Sequence, residues 1–220
     1  MHAGFIIRKQ TSHGIIIKTI IACSLSIALL SCFFSLVAPY IEAAIVQQAV
    51  VPLLLNSGEV HTKEAEVSII LWFENGNIPD QTRTTRPTLD WEWTYNHLNT
   101  GSKKDVATLS GHRLINKIEE RDLYKWYTIM EQELAKTGGM IYIDERVDQA
   151  MDISSYLSKT NAIPAQWAST DNMVSIAAYQ TNFSTSVIAG QDRINIQLLS
   201  RGKNTEGRSV LAIPALLKEF

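Results

Sequence analysis

The sequence has very few cysteines, and none follows residue 32. Among its 220 residues only Cys23 and Cys32 are cysteines, and both lie within one uncharged apolar run. Their separation places them on nearly opposite faces of a helix, so they cannot pair with each other. The rest of the chain therefore has no disulfide framework, no thiolate for a zinc site and no cysteine nucleophile.

Signatures of catalysis are missing as well. The sequence contains no glycine-rich phosphate loop, no GxSxG turn and no HExxH helix. His61, His97 and His112 are scattered and are expected to be surface or packing residues. Asp144, Asp148 and Asp152 lack the alternate spacing of a calcium loop and are expected to share a solvated helical stripe. We therefore expect a protein that is not an enzyme, with no cofactor and no metal.

Positive charge is scarce beyond the first residues. Residues 1–37 hold Arg8, Lys9 and Lys18 and no acidic residue, so residues 38–220 hold 17 Lys and Arg (20 minus 3) against 22 Asp and Glu, a balance of −5. A nucleic-acid-binding domain needs a basic face that displaces counterions from phosphates. No nucleic-acid partner is therefore expected.

One long apolar run dominates the N-terminal part. Thr19–Val37 contains no charge and no proline, and as a helix it would be about 28 Å long, close to the ~30 Å hydrocarbon thickness of a bilayer. Its basic flank, residues 1–18, predicts a cytoplasmic tail, so the remainder would be exported as a single-pass protein of a bacterial inner membrane. Lys18 and Tyr40 would mark the two membrane boundaries. A cleaved signal peptide and a lipobox ending at Cys32 are the alternatives.

A second apolar stretch follows the predicted anchor. Within residues 38–58, Ile41, Ala44, Ile45 and Ala49 follow helical spacing, and Asn56-Ser57-Gly58 is a stop signal. The pattern predicts a membrane-proximal helix that packs on the domain or on a partner helix. Packing on the same helix of another copy would allow the protein to self-associate.

This layout resembles that of type IV pilin-like subunits. An apolar N-terminal helix interrupted by Pro39 leads into a strand-rich domain in both. The resemblance implies a leader cut after a glycine that follows basic residues, and Gly14 follows Arg8 and Lys9. It also implies a Glu at the fifth mature position, where this sequence has Thr19. A pilin-like subunit is therefore kept as an alternative, without a family assignment.

Residues 59–220 predict one α+β domain, with two main helices packed on a mostly antiparallel sheet. A helices-first, sheet-last cone of NTF2-like type and a ferredoxin-like arrangement are both compatible with the pattern. In the longer helix one apolar face is predicted to be core. That face comprises Leu123, Trp126, Tyr127, Met130 and Leu134. The helices are predicted at 110–137, with Ser110 as its cap, and at 145–159, with Asp144 as its cap. The strands are predicted at 65–73, 89–96, 140–143, 172–180, 184–199 and 208–213.

An aromatic ladder stands out in the predicted second strand. Trp91, Trp93 and Tyr95 alternate with polar residues, which is the period of a strand. The rings either form the centre of the core or, if they line an exposed cleft, a stacking platform for a sugar or a peptide.

The layout predicts a non-catalytic periplasmic domain held at a membrane. We expect a structural or assembly component of an envelope machine of the conjugation, secretion or pilus type, whose partners are membrane lipid and other membrane or periplasmic proteins. A membrane-anchored ligand-binding or sensory domain is the alternative, with Trp91, Trp93 and Tyr95 as its platform.

Overall fold

The computed structural model describes residues 52–80, 82, 85–87, 90–99, 105–203 and 206–217. The chain divides into two compact units, Met1–Ala49 and Val50–Phe220, and all described residues belong to the second. The predicted anchor, Thr19–Val37, lies outside the described residues, as do Lys18 and Tyr40. Within the described ranges, no helix is both long enough and apolar enough to cross a bilayer.

An eight-stranded antiparallel sheet is the framework of the domain. The ten strands of the described residues are β1 (Glu64–Phe73), β2 (Glu92–Asn99), β3 (Asp105–Asn116), β4 (Gly139–Val147), β5 (Ile163–Ser169), β6 (Met173–Tyr179), β7 (Val187–Ala189), β8 (Asp192–Ile194), β9 (Ile196–Lys203) and β10 (Glu206–Ile213). The large sheet has the order β2-β3-β1-β4-β10-β9-β6-β5, and β7 and β8 form a separate hairpin. Three strands precede the first described helix, so the sheet is not confined to the end of the chain as a helices-first arrangement requires.

Two helices pack on this sheet, α1 (Lys117–Thr137) and α2 (Ile153–Thr160). The predicted α+β class is therefore confirmed. In α1 the predicted apolar face is also confirmed. Leu123, Trp126, Tyr127, Met130 and Leu134 are all at most 6% exposed.

The predicted first strand is confirmed as β1. Val67, Ile69, Leu71 and Phe73 are each at most 1% exposed, while the residues between them are half-buried or exposed. Alternation with a period of two is what a strand with one core-facing side requires. The covered face of the sheet and the apolar faces of α1 and α2 form one hydrophobic core.

The predicted start of the long helix is wrong. Residues 105–116 form β3, and α1 begins only after Asn116, whose side chain accepts hydrogen bonds from the backbone N–H groups of Ile118 and Glu119. Glu119 in turn accepts from the Asn116 backbone N–H at 2.9 Å, which completes a capping box. Gly111 of β3 leaves room for two aromatic rings, since a Cβ at this position would lie 3.1 Å from the rings of Trp91 and Trp93.

The predicted second helix also begins too early. Residues 139–147 form β4, in which Ile141, Ile143, Glu145 and Val147 alternate as buried positions. Only the second part of the prediction is helical, as α2, and Asp152 caps it rather than Asp144. Asp144, Asp148 and Asp152 therefore do not share a helical stripe.

The C-terminal strands follow the prediction, with one strand missed. The strand predicted at 172–180 is β6, and the final predicted strand is β10. The segment predicted at 184–199 contains the β7–β8 hairpin, which turns at Gly190, and the first part of β9. β5 was not predicted. Every residue in it is exposed, so no buried and exposed alternation identifies it, and Pro164 argues against a strand that is not at an edge.

Candidate functional site

The first described residues form the turn through which the chain enters the domain. Pro52–Gly58 makes consecutive turns, and Leu53, Leu54 and Leu55 are at most 1% exposed. The helix predicted for residues 38–58 is therefore wrong over its last seven residues, which are not helical, and residues 38–51 lie outside the described part. We name Pro52–Ser57 the entry turn.

Two buried carboxylates hold the backbone of the entry turn. Glu145 on β4 and Glu120 on α1 are both 0% exposed. Glu145 Oε2 accepts a hydrogen bond from the Leu54 N–H at 2.7 Å. Glu120 Oε1 accepts from the Leu55 N–H at 2.6 Å, and its Oε2 accepts from the Asn56 N–H at 2.9 Å. Three consecutive backbone N–H groups thus find acceptors on buried side chains, which fixes the turn to the core.

The protonated form of Glu145 is favoured in the folded protein. Burial, together with the neighbouring Glu120, raises the pKa of Glu145 well above that of an ordinary carboxyl group, and the two side chains hydrogen-bond to each other. Glu120 also accepts a bond from the Asn56 side-chain amide. A protonated Glu145 can donate the hydrogen bond that joins the two side chains.

A tyrosine hydroxyl completes the attachment of the entry turn. Tyr156 on α2 is 0% exposed, and its hydroxyl donates a hydrogen bond to the Pro52 carbonyl. Burial, followed by the nearby Glu145, raises the pKa of this hydroxyl well above its usual value. The hydroxyl therefore acts as a donor at all ordinary pH values. Each end of the turn is thus bound by a different element of the fold.

A third buried carboxylate holds a loop about three helical turns further along α1. Glu131 is 5% exposed and accepts hydrogen bonds from the Tyr127 hydroxyl at 2.8 Å and from the Thr185 N–H. Burial opposes its ionisation, but the bonds from Thr185, Ser184 and Tyr127 prevail and hold the pKa of Glu131 below its ordinary value. Its donors all belong to the chain itself, so Glu131 is explained as a support for the segment before β7.

At the end of the sheet formed by β5, large apolar side chains are exposed to solvent. Ile163 is 65% exposed and Trp167 is 77% exposed, although tryptophan is usually well buried. Residues paired across strands point to the same side of a sheet. The register aligns Leu211, Leu198, Ile176 and Trp167 in one row across four strands. Burial falls along this row from complete to 77% exposed, so the row ends in an uncovered ring.

The outer edge of β5 lacks the charges that usually protect sheet edges. Its seven residues, IPAQWAS, contain no charged side chain. Its protection is confined to its first half, where Pro164 has no N–H and the register shifts between Pro164 and Gln166. At the other end of the sheet, β2 carries Glu92 and His97, and His97 Nε2 lies 3.9 Å from Asp105. We name residues Gln166–Ser169 the open edge.

A groove lies beside the open edge on the same side as Ile176. Its volume is about 490 Å³. Apolar side chains of Met173, Val174 and Ile176 form one wall, and Met151 and Ile153 contribute to the other. Polar groups from the β5–β6 turn line its mouth. Ser169, at the end of β5, also lines the groove.

The aromatic residues singled out in the sequence occupy three levels of burial. Trp91 is 3% exposed and belongs to the core, Trp93 is half-buried and stacks on Trp91 at 6.0 Å between ring centroids, and Tyr95 is 50% exposed. Trp93 also packs against Trp126. The Trp93 indole N–H is buried and has no hydrogen-bond partner among the described residues. The stacking platform stays a prediction, with Tyr95 as its exposed ring.

The predicted surface histidines lie among ordinary surface groups. His112 Nε2 is 3.5 Å from Glu66, and its Nδ1 is 3.2 Å from the Ser68 hydroxyl. Its side chain is 57% exposed. Within the described residues, no group of three or more histidine, cysteine, aspartate or glutamate side chains is arranged to hold a metal ion.

Sequence reasoning missed Trp167, Glu120 and Glu145. The period of β4 would have placed Glu145 on the inward face, together with Ile143 and Val147, had the strand been recognised. Glu120 has no comparable signal, because its partners are backbone groups more than 60 residues away in the sequence. Trp167 could have been noticed as an aromatic residue in an uncharged segment.

Comparisons with known proteins give no family assignment. No protein-family model matches the chain, and no curated protein matches its sequence significantly. Inferences on function therefore rest on the residues of this chain and on their arrangement.

Proposed function

We propose that the protein is a single-pass, N-terminally anchored protein of a bacterial inner membrane, with a periplasmic domain that acts by binding other proteins. In this proposal it is a structural or assembly component of an envelope machine of the conjugation, secretion or pilus type. The N-terminal run Thr19–Val37 contacts lipid, and the domain contacts membrane or periplasmic proteins. The observation that carries the proposal is the open edge, where uncharged backbone and the 77% exposed Trp167 meet.

An open edge suits assembly because backbone groups themselves supply the affinity. An added strand pairs with the unpaired N–H and C=O groups of an edge, and pockets for alternate side chains supply the specificity. Trp167 offers a large apolar anchor, the residue type that most often dominates binding energy. The groove of about 490 Å³, which Ser169 at the end of the open edge lines, can receive a side chain of the added strand.

The entry turn supports the same function in a second way. A domain that takes part in an assembly needs a fixed relation between its own core and the segment that leads to its anchor. Glu120, Glu145 and Tyr156 bind the entry turn from three different elements. A load applied to the chain just before Pro52 is therefore passed directly to α1, β4 and α2.

The proposal is tested by the size of the complex in the membrane. Cells expressing the full chain are extracted with a mild detergent, and the native size is compared for the wild type, Trp167→Glu and Ile118→Glu. Ile118 is the matched control, since it is 64% exposed on α1, away from β5. We expect the wild type and Ile118→Glu to migrate as a complex well above one chain, and Trp167→Glu to shift to a smaller size. Equal migration of all three would overturn the proposal.

The orientation has its own test. Protease added to spheroplasts should degrade the C-terminal domain if it lies outside the cytoplasmic membrane. Protection of that domain, with degradation after the membrane is opened, would overturn the periplasmic location.

A further inference from the structure

The open edge needs a cover. Among the described residues, β5 has a strand partner only on the side of β6. An uncharged, unpaired edge is a template for pairing with another chain. The bulge and Pro164 interrupt the first half of β5, so the regular part available for pairing is Gln166–Ser169.

The composition of the edge fits a second copy of the same chain. In a symmetric contact about a two-fold axis each patch meets an identical patch, so any charge in it would face the same charge. Like charges directly opposite each other destabilise paired strands. The absence of any charge from Ile163 to Ser169 is therefore the composition that self-pairing requires.

The other edge of the sheet favours a closed pair over an open chain of copies. Pairing β5 of one copy with β2 of another would leave one edge free at each step and would produce a filament. β2 carries Glu92 and His97, and both side chains are exposed. Charged and polar side chains of this kind are a typical protection of a sheet edge. Pairing β5 with β5 consumes both open edges and stops at two copies.

We propose that two copies of the chain pair their β5 strands in antiparallel fashion about a two-fold axis through Gln166–Ser169. This rests on the proposed function and names a second copy as the first partner of the open edge. The two eight-stranded sheets become one continuous sheet, with the same faces on the same side. The row Leu211, Leu198, Ile176 and Trp167 continues into the second copy, so the two Trp167 rings lie on one side of the junction and cover each other.

Disulfide cross-linking of the full chain tests this pairing. Cys23 and Cys32 are first replaced by serine, and single cysteines are then placed in turn at Gln166, Trp167, Ala168 and Ser169. Residues directly opposite in an antiparallel pair have Cα atoms about 5 Å apart, within the ~7 Å limit for a disulfide. Only the residue on the axis faces its own copy, since its neighbours are displaced from theirs by about 6.6 Å along the strand. We expect one position to cross-link at least tenfold more than the others on mild oxidation.

Two controls make the result specific. Thr94→Cys on β2, at the opposite end of the sheet, is expected to stay uncross-linked. A cysteine at the axis position is then combined with Glu at the Trp167 position, or at Ala168 if the axis is at Trp167, and cross-linking should fall at least tenfold. Combination with Ile118→Glu should leave it unchanged. Cross-linking that is equal at all four positions, absent from all four, or strongest at Thr94→Cys would overturn the pairing.

Measurements on the purified chain separate this inference from the proposed function. Light scattering of the purified full chain in detergent should give two chains per particle, and one chain for Trp167→Glu. If the purified wild type is a single chain while its complex in membranes still shrinks with Trp167→Glu, self-pairing is wrong and the proposed function stands. If cross-linking follows the expected pattern but the wild-type complex in membranes contains two copies of the chain and no other protein, self-pairing stands and the proposed role in a larger assembly is wrong.

Discussion

The entry turn and the open edge are both uncharged stretches of chain, but their backbone groups find partners in opposite ways. In the entry turn, the N–H groups of Leu54, Leu55 and Asn56 each donate to a buried carboxylate oxygen. At the open edge, no described strand pairs with the outer side of Gln166–Ser169. Buried backbone groups must be paired. The fold meets this need internally in the entry turn, whereas β5 is exposed along its whole length and a second copy would pair with its outer side in the proposed dimer.

The attachment of the entry turn depends on a pair of buried carboxyl groups, an arrangement that is costly in free energy. Two carboxyl groups at 0% exposure carry a large desolvation penalty unless they are paired and hydrogen-bonded. Both carboxyl groups bind the entry turn. The open edge has no buried carboxyl group, and its polar side chain Gln166 bonds to Ala189 and Asp192 of the β7–β8 hairpin. Four substitutions separate these two situations, and all are measured on the full chain in detergent by urea unfolding followed through tryptophan fluorescence.

The largest effect is expected for Glu120→Gln. The amide NH₂ group would face N–H donors where a carboxylate oxygen now accepts from Leu55 and Asn56. We expect the free energy of unfolding to fall by about 3 kcal/mol. Glu133→Gln is the control, since Glu133 is half-exposed and forms a surface ion pair with Lys136 at 2.7 Å. It should change stability by less than about 0.5 kcal/mol. A loss below about 1 kcal/mol for Glu120→Gln would show that the pair does not hold the turn.

Glu145→Gln should remove a pH dependence. Because the folded state raises the pKa of Glu145, it keeps a proton that the unfolded state releases. This stabilisation is complete below the unfolded pKa and is lost as the pH rises through the raised folded pKa, with a slope of up to about 1.4 kcal/mol per pH unit. Gln keeps an acceptor for Leu54 and a donor for Glu120 but cannot ionise. The variant should therefore lose stability less steeply above about pH 5, and identical slopes would contradict the assignment of the proton.

Tyr156→Phe should have a smaller effect. It removes the hydroxyl that donates to the Pro52 carbonyl in a fully buried position. A single neutral hydrogen bond contributes about 1 kcal/mol, and that is the expected loss in the free energy of unfolding. Tyr142→Phe serves as the control, because the Tyr142 hydroxyl donates to the Met140 sulfur at 3.6 Å, and a thioether is a weak acceptor. Equal losses for the two variants would mean that the Pro52 bond adds nothing.

The smallest effect on stability is expected for Trp167→Ser. The ring is 77% exposed, so the free energy of unfolding should change by less than about 0.5 kcal/mol at a chain concentration too low for pairing. Trp91→Ser, at 3% exposure in the same sheet, should cost about 3 kcal/mol or more. A loss for Trp167→Ser that approaches the loss for Trp91→Ser would show that the ring serves the fold and not a partner.

The strongest periodic patterns were sufficient to predict several elements. β1 and the apolar face of α1 follow directly from residue spacing, because each is buried on one side and exposed on the other. The beginnings of both helices were misplaced, since Ser110 and Asp144 have capping chemistry but belong to strands β3 and β4. Capping side chains are a local signal, and strand pairing with β1 at both sides overrides it.

The parts of the candidate site escaped prediction for a related reason. β5 is exposed along its whole length, so its only structural reason to be a strand is its pairing with β6. Glu120 and Glu145 look like surface residues in the sequence because charge normally indicates exposure. Their burial depends on three N–H groups that arrive from the entry turn, and no local pattern encodes that meeting.

The sequence alone thus determined the α+β class, the core faces of β1 and α1, and the presence of an apolar N-terminal run, because hydrophobic periodicity is a local property of the chain. The tertiary structure decided which ionisable side chains are buried, which side chains hydrogen-bond to the entry turn and which edge of the sheet is left open. Those features depend on contacts between residues far apart in the sequence, such as Leu55 with Glu120 and Ile176 with Trp167. They exist only when the eight strands have taken their order.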